Sequence, residues 1–389
     1  MPCNDWQNIL RARMKKAYSI VHIITNLSTG GAEVMLYKLL RRSYDLRKRS
    51  IVVALMNVGA VGKKIQQLGL PVYELKMSQG KFDFSAFLAL YKMLRKVSPM
   101  FVQTWMYHAD LVGGLAAYLT NCQGVIWGLH HSDLSLSNNK ASTIITAKLC
   151  ALLSYVVPSK IVSCSFHAKS VHEQIGYCSN KIAVIPNGFE LENFKPEPLA
   201  RPSLVKELGF PHNAVIISII GRFNPQKDHE NFCKAASLVL KEQPNCYFVF
   251  CGSNIGPDNK VLVQYLTQNN IRENSFLLGL REDIARISAA SDICVSSSCG
   301  EAFPLVVGEA MACGTPCVVT DVGDSAYIVG ETGYVVPPKS YDKLAQAIIK
   351  MIEIGPEQRK RLGIAARKRI EDNFSIQAVV EQYERLYGS

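Results

Sequence analysis

Apolar residues along this chain fall into short continuous runs, and stretches of helical spacing separate them. In the first half YSIVHIIT (18–25), SIVVALM (50–56), LPVYELK (70–76), MFVQTW (100–105) and GVIWGL (124–129) have the length and β-branched content of strands. Between them, residues 32–43, 84–97 and 109–120 carry apolar side chains every third or fourth position, as amphipathic helices do. Strands read as continuous apolar runs are buried on both faces. Alternation with helices therefore predicts a parallel sheet covered on both sides.

The stretch 195–211, KPEPLARPSLVKELGFP, has four prolines and breaks the alternation, so it is expected to connect two domains. The pattern then restarts. Strands are expected at 213–221, 246–252, 275–280, 292–298 and 316–321, with helices at 228–242, 259–269, 283–291 and 304–314. AYIV (326–329), ETGYVVPP (331–338) and a long helical tail complete it. The expected fold class is α/β: two Rossmann-like, doubly wound parallel-sheet domains, at 1–196 and 197–370. The tail, 371–389, is treated below.

A length of 389 residues suits two cores rather than one. No apolar run reaches the length of a membrane span, and none resembles a secretory signal. The twelve cysteines include no C-x-x-C pair and no zinc spacing, which points to buried thiols in a reducing cytoplasm. The net charge of +11 lies entirely in the first quarter, where 17 Lys and Arg face 5 Asp and Glu. Such an excess is either a solvated basic face or a surface for anionic lipid headgroups or phosphorylated acceptors. Nucleic acid is not expected, because no recognised binding module accompanies the charge.

The chemistry concentrates in SSSCGEAFPLVVGEAMACGTPCVVTD, 296–321, where Glu301 and Glu309 are embedded in a core-like run. Burying carboxylates without partners is costly, so the run calls for an explanation. The pattern puts Glu301 in the loop leaving a strand and Glu309 within the next helix, with Pro304 at its first turn. Backbone N–H groups around Phe303 to Val306, Pro304 having none, then lack intrahelical acceptors and form a site for an anion such as a phosphate. Each carboxylate offers two acceptor oxygens for a sugar diol. Taken alone, the same residues also fit a helix cap and a surface glutamate.

This stretch resembles the signature of the retaining glycosyltransferases of family 4, with Ala302 where the more familiar form has glycine. The resemblance runs from Tyr18 to the tail. It implies the GT-B architecture, in which two Rossmann-like domains face each other across a cleft. A C-terminal domain would hold the nucleotide-sugar donor and an N-terminal one the acceptor. It implies that Glu309 binds the donor ribose and that Glu301 orients the transferred sugar. The backbone at Phe303, Pro304 and Leu305 would lie beside the diphosphate. In GT-B proteins the last helix crosses back, which assigns 371–389 to the N-terminal domain.

Other strand ends agree. Arg222 and Lys227, in GRFNPQKD, match the family's phosphate-binding pair. Two cations at a strand mouth can neutralise a leaving diphosphate without a metal. There is no Asp-x-Asp, so neither metal nor cofactor is expected. Gly30-Gly31, in NLSTGGAE, resembles the turn that brings backbone close to donor phosphate and acceptor. His130 and His131 end the strand at which the family places a histidine near the transferred sugar, and His131 is the preferred of the two. His108 is assigned to the acceptor side, and backbone at Gly279 to Arg281 to the nucleobase.

The expected activity is retaining, metal-independent transfer of a hexosyl or N-acetylhexosaminyl group from a nucleoside-diphosphate sugar. UDP comes before GDP, and the acceptor is a lipid-linked, polyprenyl-type or other glycan in cell-surface polysaccharide synthesis. The expected location is the cytoplasm, peripheral at the inner face of the membrane. The competing readings are an epimerase on the same fold and a catalytically silent sugar-nucleotide-binding subunit. A dehydrogenase is disfavoured because no G-x-G-x-x-G follows the first strand of either half.

Overall fold

The computed structural model describes residues 19–28, 30–78, 83–120, 122–132, 134 and 140–388, so the start of the basic first quarter, residues 1–18, lies outside the described residues. The chain divides into two compact units, Met1–Asn187 with Ile376–Ser389, and Gly188–Ser375.

The first unit is built on seven parallel strands: β1 (Ile20–Ile24), β2 (Ser50–Ala54), β3 (Val72–Glu74), β4 (Phe101–Trp105), β5 (Gly124–Leu129), β6 (Lys160–Ser163) and β7 (Ile182–Val184). Their order is β3-β2-β1-β4-β5-β6-β7. Every residue of β1 and β2 is buried, as the unbroken apolar runs require. The helices Phe84–Val97, Tyr107–Tyr118 and Ala141–Leu153 pack on one face of the sheet. Gly31–Arg42, Ala60–Gln67 and Ile376–Leu386 cover the other.

The second unit carries β8 (Val215–Ile220), β9 (Cys246–Cys251), β10 (Ser275–Leu277), β11 (Ile293–Ser296), β12 (Cys317–Thr320) and β13 (Tyr334–Val336). All pairings are parallel, in the order β10-β9-β8-β11-β12-β13. In both sheets the chain builds outward from one strand and then starts again on its other side. The reversal lies between β1 and β4 in the first unit and between β8 and β11 in the second. Loops at the carboxyl ends of such neighbours diverge, and the crevice they leave is where open α/β sheets bind ligands.

Three expectations are corrected. The proline-rich stretch contains a helix, Ala200–Leu208, whose Ala200 and Leu204 are buried in the second unit. Pro202 falls in its first turn, where the missing N–H costs nothing, and Gly209 closes it at φ 71°. The units part between Asn187 and Gly188 rather than after residue 196. The reason is Phe189: it is fully buried against Phe303 and Phe374, and its N–H donates to the Phe374 carbonyl at 2.9 Å. The tail divides at Ser375, where extended backbone (ψ 142°) ends the helix Gly355–Phe374. Only Ile376–Leu386 joins the first unit, burying Ile376, Val379, Val380 and Tyr383. Residues 141–184, to which the pattern assigned no element, hold two helices, Ala141–Leu153 and Phe166–Gln174, besides β6 and β7.

Candidate active site

The second unit's switch point is held by hydrogen bonds between its two loops. After β8 the chain passes through Gly221 and Arg222 into a short 3-10 turn, Pro225–Lys227, which the Asn224 side chain caps by accepting from the Gln226 N–H at 2.9 Å. Asp228 is left-handed (φ 48°) and starts the helix His229–Glu242. The loop after β11 fastens onto this turn. The Ser297 hydroxyl donates to the carbonyls of Lys227 (2.8 Å) and Asp228 (3.1 Å), and the Cys299 N–H donates to the Gln226 carbonyl at 2.8 Å.

Lys227 and Glu301 meet across the two loops. Lys227 Nζ lies 2.5 Å from Glu301 Oε1, and the same oxygen accepts from the Ser298 hydroxyl at 2.8 Å. Both side chains are partly buried, which limits screening by solvent. The lysine stem runs over Gly221, where an added Cβ would stand 3.3 Å from Lys227 Cε. From the other side, the loop after β12 rests on the backbone of Glu301. A Cβ on Gly323 would fall within 2.8 Å of the Ala302 carbonyl, and the Asp324 N–H donates to that carbonyl at 3.1 Å. Arg222, at the start of the same β8 loop, is exposed and bonds to no described residue.

The helix after this loop is Leu305–Ala312, with Pro304 as its N-cap. Val307 N–H closes on the Pro304 carbonyl at 3.2 Å, which leaves the Leu305 and Val306 amides without an intrahelical acceptor. Phe303 points inward, 6% exposed and stacked on Phe189, so only its backbone is offered to a ligand. Glu309 sits in the second turn and is partly buried. Its charge reaches Cys313, whose thiol is pushed up to about 12, first by burial and then by this carboxylate. At the β10 end, Gly279 takes φ 67° and its carbonyl accepts from the Gly252 N–H at 2.8 Å. The Arg281 side chain is occupied by Asp283 at 2.8 Å and Glu207 at 3.0 Å, so it braces the loop.

The first unit places aromatic and imidazole rings at the corresponding loops. His130 stacks on Trp105 with centroids 5.1 Å apart, and both its ring nitrogens are shielded from solvent without a partner. Burial lowers its pKa to about 4. His131 is partly exposed and stands edge-on to Tyr107 at 6.3 Å. Tyr107 also bonds His172 Nε2 at 2.8 Å. His108 is the second residue of the helix Tyr107–Tyr118, and its pKa is lowered by burial. The preceding Met106 holds φ 76°, a strained conformation for a non-glycine residue. Gly30 caps the helix Gly31–Arg42, and the Glu33 carboxylate folds over it within 2.3 Å of where a Cβ would sit. The space over Gly31 is open.

Sequence reasoning missed Ser297 and Ser298, which hold the lysine and glutamate loops in register. Their signal was the run of three serines at the end of a strand otherwise apolar. It also missed His229, buried beside Lys227 against the Phe223 ring at 5.2 Å, with no partner for either ring nitrogen. Burial first, and the Lys227 charge second, lower its pKa to about 4. Among the described residues no group of three His, Cys, Asp or Glu is arranged to hold a metal ion.

Known structures share this fold. The Anabaena protein Alr3699/HepE, solved with UDP and glucose, superposes with a TM-score of 0.81 at 21% identity, over 96% of this chain and all of that one. A glycosyltransferase from Rickettsia africae gives 0.80 at 20% identity, over 96% and 98% of the two chains. The two parallel-sheet units therefore constitute the GT-B fold. Residues 29–193 match the family described as Glycosyltransferase Family 4, and residues 200–369 match Glycosyl transferases group 1. The chain belongs to the family 4 glycosyltransferases. A similar curated protein is the Escherichia coli UDP-Gal:alpha-D-GlcNAc-diphosphoundecaprenol alpha-1,3-galactosyltransferase, 28% identical over 313 residues, 78% of this chain and 79% of that one. The N-acetyl-alpha-D-glucosaminyl L-malate synthase of Bacillus anthracis is 28% identical over about half of each chain.

Proposed function

We propose that this glycosyltransferase moves a sugar from a nucleoside-diphosphate donor, UDP before GDP, to a hydroxyl of a lipid-linked glycan, with retention at the anomeric carbon and without a metal. It would work on the cytoplasmic face of a membrane, in assembly of a surface polysaccharide. The observation that carries this reading is the junction of Lys227 and Glu301 beside the open amides of Leu305 and Val306. A pyrophosphate seated there would meet one fixed cation, a second in Arg222, and a helix N-terminus, the elements that stabilise a leaving diphosphate.

In the reaction proposed, the bond from the anomeric carbon to the β-phosphate oxygen breaks and the acceptor oxygen bonds to the same carbon. The acceptor proton passes to the departing phosphate oxygen on the same face. Glu301 orients the sugar hydroxyls while its pairing with Lys227 keeps both groups in place. Glu309 holds the ribose, the backbone at Gly279 borders the base, and His131 approaches the sugar from the acceptor side. The UDP complex of the Anabaena protein and the undecaprenyl acceptor named for the E. coli relative support the choice of donor and acceptor. The test is a thermal-shift panel of UDP- and GDP-sugars. Stabilisation by at least one of them, lost in Glu301→Ala and Lys227→Ala, is expected. A chain that no nucleotide sugar stabilises is not this enzyme.

A further inference from the structure

The helix Ala141–Leu153 buries Thr146, Ala147, Cys150 and Ala151 against the first sheet, yet its outer side is also apolar. Ile145, Leu149 and Leu152 are exposed by 59%, 44% and 73%, and Val156, in the turn that follows, by 60%. At 100° per residue the three on the helix fall within about 60° of one another and form a single stripe. A lone exposed leucine needs no explanation, but a stripe running the length of a helix does.

The stripe continues across its neighbours. This helix packs beside Tyr107–Tyr118, which packs beside Phe84–Val97, all on one face of the sheet. In a parallel β-α-β array all three point the same way, so their last turns lie at one edge. There Tyr118 and Leu119 are exposed as well. The cations of this face are Lys92, Arg95 and Lys96 on the first helix, with Lys140, Lys148 and Lys160 around the third, all exposed. From residue 84 to residue 160 the only carboxylates are Asp110, fully buried, and Asp133, outside the described residues. Asp83, just before, spends its carboxylate capping Ser85 and Ala86.

We infer that this face docks the protein on a bilayer containing anionic lipid, with Ile145, Leu149, Leu152 and Val156 entering the acyl boundary and the lysines meeting headgroup phosphates. A second copy of the chain is a poor occupant. A two-fold interface sets a patch against itself, which would bring cations against cations with no exposed carboxylate on these three helices between them. A lipid surface supplies both things the face lacks, a negative layer and a hydrocarbon layer beneath it. The inference rests on the proposed function only for its purpose, an acceptor carried by a membrane lipid. The surface itself lies in the first unit and uses none of the donor residues.

The experiment is co-sedimentation of the full chain with phosphatidylcholine vesicles, with and without phosphatidylglycerol. Binding is expected only when phosphatidylglycerol is present, and salt should weaken it. Leu149→Asp with Leu152→Asp should reduce it more than tenfold, and Lys148→Glu at least fivefold. Leu152→Trp, whose side chain remains apolar, should shift its emission to the blue on the same vesicles. Stabilisation by the UDP-sugar found for the parent chain should persist in all three variants. If Leu149→Asp with Leu152→Asp binds as the parent does, or Leu152→Trp emission does not move, the docking surface is wrong. A dimer that the aspartates dissociate, without lipid binding, also overturns it. Loss of donor stabilisation in the parent, with vesicle binding intact, would instead count against the transferase reading alone.

Discussion

In the second unit, the loops at the switch point carry charges that hold one another: Lys227 on Glu301, Glu301 on Ser298. In the first unit, the same positions in the same topology carry rings. His130 lies on Trp105, Trp105 donates to His22, and His131 stands against Tyr107. Burial lowers the pKa of His22 to about 3 and of His130 and His172 to about 4, so these imidazoles are neutral at neutral pH. One switch point thus carries charged side chains, and the other carries rings packed below the surface, of which only His130 and His131 are partly exposed. A pyrophosphate calls for the charged one.

The sharpest way to break this contrast is to remove the charge. Lys227→Ala should lower transfer about 100- to 1,000-fold, the range for deleting one preorganised electrostatic contact. Trp105 and Trp127 lie in the first unit and the second has no tryptophan, so tryptophan fluorescence reports the first unit alone. Its melting curve should not move in Lys227→Ala. A shift there would mean that the lysine holds up more than the site.

Acid should separate the units in the opposite direction. An imidazole with a pKa near 4 in the folded chain and 6.5 when unfolded takes up its proton on unfolding. Its contribution to stability is complete above pH 6.5 and disappears as pH falls towards 4. Each such imidazole accounts for up to roughly 3 kcal/mol. The first unit holds three such groups and the second holds His229. Tryptophan fluorescence should therefore report unfolding at a higher pH than the remaining circular dichroism signal. Coincident acid transitions would remove the distinction.

Gly308→Ala tests the second unit's packing without touching a charge. Its Cβ would stand 2.1 Å from the Phe189 ring, which is wedged by Phe303 and Phe374, so a cost of about 1–3 kcal/mol is expected. Circular dichroism should show an earlier melting phase that tryptophan fluorescence does not share. The smallest effect belongs to the histidine pair. His130→Ala should lower the first unit's melting temperature by the equivalent of about 1 kcal/mol of ring packing, with turnover retained. His131→Ala should do the reverse. Equal behaviour of the two would remove the assignment of His131 to the sugar.

Most strands were legible as unbroken apolar runs between turn residues, but β6 and β7, of four and three residues, were too short to be read. The sequence reading of 124–129 matches β5 residue for residue. The helix Ala141–Leu153 escaped because its exposed side is as apolar as its buried one, so no periodicity marks it. The helix Ala200–Leu208 was obscured by Pro202, which reads as a breaker anywhere except in a first turn. At the site, the glutamate and lysine motifs were legible as spacing, but the contact between them was not. It depends on Ser297 and the Gln226 carbonyl drawing together loops some 70 residues apart, and only tertiary structure brings those groups within reach.

The return of Ile376–Leu386 to the first unit has a consequence for biosynthesis. The chain's last helix finishes the core that its first strand begins. At about 5–20 residues per second, translating the 188 residues from Gly188 to Ser375 leaves that core incomplete for roughly ten to forty seconds. Throughout that interval the apolar surface awaiting Val379 and Tyr383 stays uncovered.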